Sequence, residues 1–296
     1  MAESTGLLSP TGRPTGAEEA LAPDVEQQTA TEGLLARLRT GSGHHMLVGR
    51  VMLALVTLAA FLLLWEGLVR WRQYPAFILP SPGAVWTRFI SLTIDGTLWE
   101  HAAITLFEIL AGLAIGLVAA VVVGYFLAKS VALERLLSPY IVALQSFPIV
   151  AIAPLLVIWI SDGETRTVLI CSLTLFFPTL VSTIVGLRSV EPELMALMRS
   201  LQATRWQIFT KLEIPAALPV LFGGLKIGAT LAVIGAVIGE FVGADRGLGF
   251  LINLARGLFD TPMLFVALFT LVLISLGLYA LISLLEYRLL AWQRLS

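Results

Sequence analysis

The sequence predicts an all-α, polytopic membrane protein with about six transmembrane helices. Three observations carry that prediction. Hydrophobic residues make up 57% of the 296-residue chain and charged residues only 13%, against about 25% charged in soluble domains, and mean hydropathy is +0.90. Several apolar runs reach the roughly 20 residues that a helix needs to cross a bilayer. Between two of these runs, Leu187 to Pro219 forms a long, cationic segment, whereas loops between spans are usually short.

Taken in chain order, residues 1–45 come first as a tail rich in Pro, Gly, Ser, Thr, Glu and Gln. Such a composition buries too little apolar surface to fold, and it lacks the basic start and short apolar core of a secretory signal. It is expected to be a disordered cytoplasmic tail, followed by a transmembrane domain over residues 46–296. The spans are expected at Val51 to Leu68, Ala102 to Leu127, Leu137 to Ile160, Val168 to Leu187, Ala216 to Val242 and Met263 to Leu285. Between the first two, Tyr74 to Glu100 carries three prolines and an amphipathic piece at Val85 to Leu92, which reads as a helix along the outer interface. With the amino terminus inside, 12 of the 19 basic residues fall on the cytoplasmic side, six on the other, and Lys226 within a span. That bias places both termini and the long loop in the cytoplasm.

The long loop reads as two short helices. Pro192 suits the first turn of one, where its missing N–H is no loss. Thr204 and Gln207 have the spacing of a capping box for a second, and Pro215 and Pro219 are expected to end that helix before the next span.

On these residues the chain resembles the permease subunits of ATP-driven, ABC-type importers. Their coupling loop carries a Glu-Ala-Ala motif, a Gly soon after and a terminal Leu-Pro. The later part, from Leu201 to Leu218-Pro219, matches well. Ala196-Leu197-Met198 stand where Glu-Ala-Ala is usual, and Gln202 stands where Gly is usual. A residue there would have to close the first helix in a left-handed conformation, at about 1 kcal/mol for a side chain other than Gly. The resemblance extends over about Phe77 to Trp292 and includes Leu79-Pro80-Ser81-Pro82, Pro148 to Leu155 and Gly239 to Gly249. It points to the subfamily that imports sulfonates, taurine, nitrate, thiamine-pyrimidine precursors and riboflavin. Glu108 and the Gly-Glu-Phe-Val-Gly-Ala stretch are most similar to the vitamin and heterocycle branch, with sulfonate, taurine or nitrate import as the alternative.

The resemblance implies a homodimer of permeases in the inner membrane, two cytoplasmic ATPases, an extracytoplasmic binding protein and no nucleic-acid partner. Glu193, Ala196, Met198, Arg199, Gln202, Ala203, Arg205 and Trp206 would form the ATPase-coupling surface. Arg199, Arg205 and Lys211 suit an acidic groove on the ATPase, or equally a solvated face. Gln145, Ser146, Phe147 and Pro148 in the third span are candidates for the substrate pathway, because proline frees backbone carbonyls that a water-lined path can satisfy. A structural kink is the other reading. Phe176-Phe177-Pro178 in the fourth span repeats the theme.

Lys226 and Glu240 complete the pathway candidates, since ionisable groups at membrane depth are expensive and therefore point to function. Structural ion pairs are the alternative for both. Glu66 and Glu108 lie near the outer ends of their spans and reach headgroups on this reading. Cys171, the only cysteine, is expected to be a small buried apolar group.

Neither catalytic nor metal-binding residues are assigned, and no cofactor is expected. No G-x-x-x-x-G-K-[ST] phosphate loop is present, so ATP hydrolysis falls to another chain. An intramembrane enzyme would need clustered acids or a nucleophile with its base, and no acids recur at i, i+4 within the spans. An ATP-independent channel or secondary transporter would leave the long loop without a task.

Overall fold

The computed structural model describes residues 52, 53 and 55–291, and the expected tail lies outside them. The chain divides into two units, Met1–Leu68 and Val69–Ser296. Helix α1 covers residues 55–72, so of the first expected span Val51 lies outside the described residues. The remaining helices are α2 Pro82–Ile94, α3 Thr97–Lys129, α4 Val131–Gln145, α5 Ile149–Trp159, α6 Gly163–Arg188, α7 Pro192–Ser200, α8 Arg205–Ile208, α9 Ile214–Phe241, α10 Leu248–Gly257 and α11 Thr261–Leu289. No strand occurs among the described residues.

Four of these stretches are long and apolar enough to cross a membrane: α3, α6, Arg205–Phe241 and α11. Their outward side chains, such as Val118, Val185 and Leu273, stay exposed, which in a soluble protein would be an aggregation hazard. Here they form the lipid-facing surface.

The third expected span is not one helix. Helices α4 and α5 meet at 89° across Ser146-Phe147-Pro148. Pro148 sits at φ −69° and ψ 107°, outside helical geometry, and its ring disfavours a helical Phe147. Pro148 therefore breaks the span outright rather than kinking it, while α5 runs on through Pro154.

A second correction concerns Pro215 and Pro219. They do not stop the helix that begins at Arg205. The chain runs on through a five-residue π-helical turn, Phe209–Glu213, directly into α9. The ring of Pro215 would clash with the carbonyl four residues back, that of Lys211. Widening the turn at that carbonyl lets the helix continue.

Helix α6 is the centre of the bundle, flanked by α3 and α9. Two glycines set those distances. A Cβ on Gly116 of α3 would stand 2.7 Å from the Ser172 carbonyl oxygen, and one on Gly235 of α9 would stand 3.0 Å from the Cys171 Cα. Backbones so close leave dispersion contacts across the whole seam, which is how helices associate where lipid cancels the hydrophobic effect. Cys171 is fully buried in that seam, as its sequence context suggested.

Helix ends are fixed locally. Ser81 accepts from the Ala84 N–H at 3.2 Å and Pro82 occupies the first turn of α2, which accounts for the Leu-Pro-Ser-Pro run. Asp260 caps α11 and also pairs with Arg88 of α2 at 2.7 Å, pinning α2 to α11.

Candidate functional site

The bend between α4 and α5 opens a cleft of about 590 Å³ against α6 and α9. Gln145 and Phe147 line it from the bend, Thr174, Phe177 and Ser182 from α6, and Leu231 from α9. Ser146 and Pro148 form the turn itself; neither belongs to the wall, and Ser146 Oγ donates to the Val142 carbonyl at 3.0 Å. No lysine, arginine, aspartate or glutamate faces the cleft.

Two prolines add to the polarity that Gln145 and Ser182 supply. Pro178 lies within α6 and Pro154 within α5. Having no N–H, each leaves the carbonyl four residues earlier without its helical donor. Those carbonyls belong to Thr174 and Val150, both in the cleft wall. The Thr174 hydroxyl meanwhile donates to the Ile170 carbonyl at 2.6 Å. The cleft wall therefore combines two aromatic rings, the Gln145 amide, the Ser182 hydroxyl and two residues whose carbonyls lack their helical donor.

Lys226 lies elsewhere. Its ammonium pairs with Glu286 of α11 and stands 5.7 Å from the centre of the Tyr279 ring. The pair joins α9 to α11 on a face away from the cleft wall. Replacing Lys226 alone with Met is expected to lower stability by about 2 kcal/mol, by stranding the Glu286 carboxylate. The double substitution Lys226→Met, Glu286→Leu should recover most of that loss. A thermal-unfolding cycle in detergent checks this, and additive losses would contradict the pairing.

Glu240 is also outside the cleft, and 1% exposed. Its carboxylate accepts the Gly249 N–H and the Thr105 hydroxyl, the latter at 2.6 Å. Thr105 in turn accepts the Leu248 N–H at 2.8 Å, and His101 Nδ1 accepts the Gly247 N–H at 3.0 Å. Three orphan donors at the start of α10 are thus satisfied by α3 and α9, with the acid at the positive end of the helix dipole. Gly247 has φ 103°, and a Cβ on Gly249 would stand 2.8 Å from Glu240 Oε2. In the stretch from Gly239 to Gly249 an acid therefore caps the helix that follows it, with Thr105 and His101 of α3 completing the cap.

Glu108 does not reach headgroups. It is 2% exposed, faces Glu240 of α9, and its Oε2 finds no hydrogen-bond partner among the described residues. The sequence offered no paired acids because these two come from different spans.

At the other end of the bundle lies the loop of α7 and α8. Pro192 opens α7, and the Thr204–Gln207 capping box is complete: Thr204 N–H donates to Gln207 Oε1 at 2.8 Å and Gln207 N–H to Thr204 Oγ1 at 3.3 Å. Between them, Ala203 N–H reaches the Met198 carbonyl and Gln202 N–H the Arg199 carbonyl, each at 3.0 Å. This is the Schellman helix ending, and Gln202 occupies its left-handed position at φ 52°. Changing Gln202 to Gly should stabilise the loop by about 1 kcal/mol and leave ATPase co-purification intact. Lost co-purification would count against this placement of the turn.

Glu193 lies in the first turn of α7, Ala196 in its middle, and Ala203 in the turn that follows. Leu197, Arg199, Leu201, Arg205 and Trp206 are exposed, giving a mixed apolar and cationic surface. Arg188 ties the base of the loop down, pairing with Glu134 of α4 and donating to the Leu127 carbonyl of α3 at 3.4 Å.

Comparisons with known proteins fit this arrangement. Residues 112–291 match the family described as binding-protein-dependent transport system inner membrane component. A riboflavin transport system permease protein of Chloroflexus aurantiacus is 48% identical over 238 residues, 80% of this chain and 89% of that protein. A formylaminopyrimidine transport permease protein of Halalkalibacterium halodurans is 34% identical over 79% of this chain and 92% of its own. In fold, the chain is similar to a crystallised amino acid ABC transporter at a TM-score of 0.53 and 18% identity, over 69% of this chain and 96% of the other.

Proposed function

The chain belongs to the binding-protein-dependent transport system inner membrane components, the permease subunits of ABC-type importers, and on that premise we propose that it carries a neutral, planar heterocycle, with riboflavin first and a thiamine pyrimidine precursor second. The observation that supports this substrate class is the uncharged cleft with its two phenyl rings and freed carbonyls. An imide or ring N–H can donate to carbonyls while its face stacks on Phe147 or Phe177. A sulfonate or nitrate would enter without a cation to meet it, an expensive transfer. The names of the two relatives above agree with the heterocycle reading.

In this reading two copies form the pathway, two ATPases hydrolyse ATP at the cytoplasmic side, and a binding protein delivers substrate to the Glu240 end. Both termini and the α7–α8 loop are cytoplasmic. The exposed Leu197, Leu201 and Trp206 form the ATPase-docking surface. Movement there reaches the cleft directly, because the helical stretch begun at Arg205 continues to Phe241 and carries Ile227 and Leu231 of the wall. Gln145 and Phe147, on the turn opposite, complete a wall whose two sides belong to different helices.

Uptake of labelled riboflavin by an auxotroph expressing the chain with its ATPase and binding protein tests the proposal. ATP-dependent uptake is expected, with no uptake of taurine. Pro178→Ala should raise the transport KM about fivefold at normal expression, since the new N–H takes back the Thr174 carbonyl. Taurine uptake in place of riboflavin would reject the substrate reading, and uptake without ATP would reject the mechanism. Labelling a cysteine placed at Leu197 with a membrane-impermeant reagent tests the orientation independently.

A further inference from the structure

We propose that the permease holds one anionic phospholipid with a hydroxylated headgroup, phosphatidylglycerol in its chemistry, between the α7–α8 loop and the ends of α3, α6 and α9. Two cavities meet there. The first, about 450 Å³, is wholly apolar and runs along the last turns of α3 and the first turns of α9, between Val122, Phe126, Thr183, Phe209, Leu218 and Leu221. The second, about 530 Å³, lies at its mouth under the loop, between Tyr125, Lys129, Met195, Arg199, Arg205 and Glu213. Tyr125 lines both, with the Phe209 ring packed edge-on to it at 5.1 Å and Lys129 Nζ at 5.5 Å from its centre. An apolar slot at membrane depth that opens into a cationic chamber has the polarity profile of a single lipid, acyl chain to headgroup.

The charges narrow the headgroup. Lys129 is held by Glu213 Oε1, so its charge is matched. Arg199 and Arg205 make no ion pair among the described residues, leaving the chamber net cationic. Two guanidinium groups suit a phosphate. Glu213 is 3% exposed, and its Oε2 has no hydrogen-bond partner. A buried acceptor beside a phosphate site asks for a donor on the same ligand. The glycerol hydroxyls of phosphatidylglycerol supply one and leave the headgroup anionic; choline has no donor, and the ethanolamine ammonium, though a donor, adds positive charge to a chamber already net cationic. Seating the headgroup here, between the base of the loop and the start of α9, would couple loop position to lipid occupancy.

The inference rests on the cytoplasmic placement of the α7–α8 loop for its choice of leaflet, not for the site itself. Its test is native mass spectrometry of the full-length chain, purified in detergent and incubated with phosphatidylglycerol, phosphatidylethanolamine or phosphatidylcholine. One retained phosphatidylglycerol per chain is expected, in clear preference to the other two. Arg199→Gln with Arg205→Gln should lower that preference about thirtyfold, and Val122→Trp should reduce retention of every lipid by filling the slot. Equal retention of all three lipids, or retention unchanged in both variants, would overturn the proposal. Displacement by millimolar inorganic phosphate would identify a soluble-anion site instead. Stoichiometric displacement by the ATPase would assign the chamber to the protein interface, and displacement by dimerisation would assign the slot to a second copy; either rejects the lipid. Should labelling at position 197 put the loop outside while phosphatidylglycerol is still retained, the site stands and the orientation falls.

Discussion

Glu240→Ala is expected to lower the stability of the folded permease by about 3 kcal/mol, the largest effect of any single truncation. The carboxylate accepts from the Gly249 N–H and the Thr105 hydroxyl at once, at 1% exposure. Removing it leaves the buried Gly249 N–H without an acceptor and takes one from the Thr105 hydroxyl. Glu240→Gln should lose much less, because its amide oxygen still accepts from Gly249. Thr105→Val should fall between, since it strands the Leu248 N–H while sparing that of Gly249. Thermal unfolding in detergent, read beside the yield of monodisperse protein, orders the three. If Glu240→Ala melts with the unmodified chain, the capping role assigned to the acid is wrong. A transport defect without a stability defect would instead point to substrate contact.

Gly235→Val is the second large loss expected. A Cβ at that position already stands 2.9 Å from the Thr174 hydroxyl oxygen and 3.0 Å from the Cys171 Cα, and valine adds two methyls beyond it. Neither neighbour is the far end of a flexible chain, so α6 and α9 must separate. Overpacking of this kind typically costs about 1–3 kcal/mol, and here it also opens the wall that carries Thr174. Loss of folded protein is therefore expected, with transport failing in whatever fraction survives. Gly277→Val on α11 serves as the control, because nothing lies within 4 Å of a Cβ there. Equal yields from the two variants would show that the close approach of α6 and α9 is not needed.

What could be read from the sequence was what depends on neighbours along the chain. The Thr204–Gln207 box, Pro192 in the first turn and the left-handed residue at Gln202 are each complete within a few positions, and each stands as expected. Pro148 announced a bend within one span, not an 89° break between two helices, which depends on how α5 packs against α6. Pro215 misled for a physical reason: near a helix start, with a widened turn before it, proline ends nothing. The Thr105–Glu240 contact joins residues 135 positions apart, and no local pattern encodes it. For the cleft, Gln145 and Phe147 were legible from their prolines, whereas Thr174 and Ser182 needed the fold.

The unbroken run from Arg205 to Phe241 has a consequence for anyone grafting permeases. A loop and a span joined by a flexible linker can be exchanged separately; here they share one angular phase. Deleting one residue from Phe209–Glu213 would rotate everything beyond it by about 100°, turning Ile227 and Leu231 off the wall while the loop kept its place. Chimeras that exchange the loop should therefore be cut ahead of Thr204, and any cut inside the π turn must conserve its residue count.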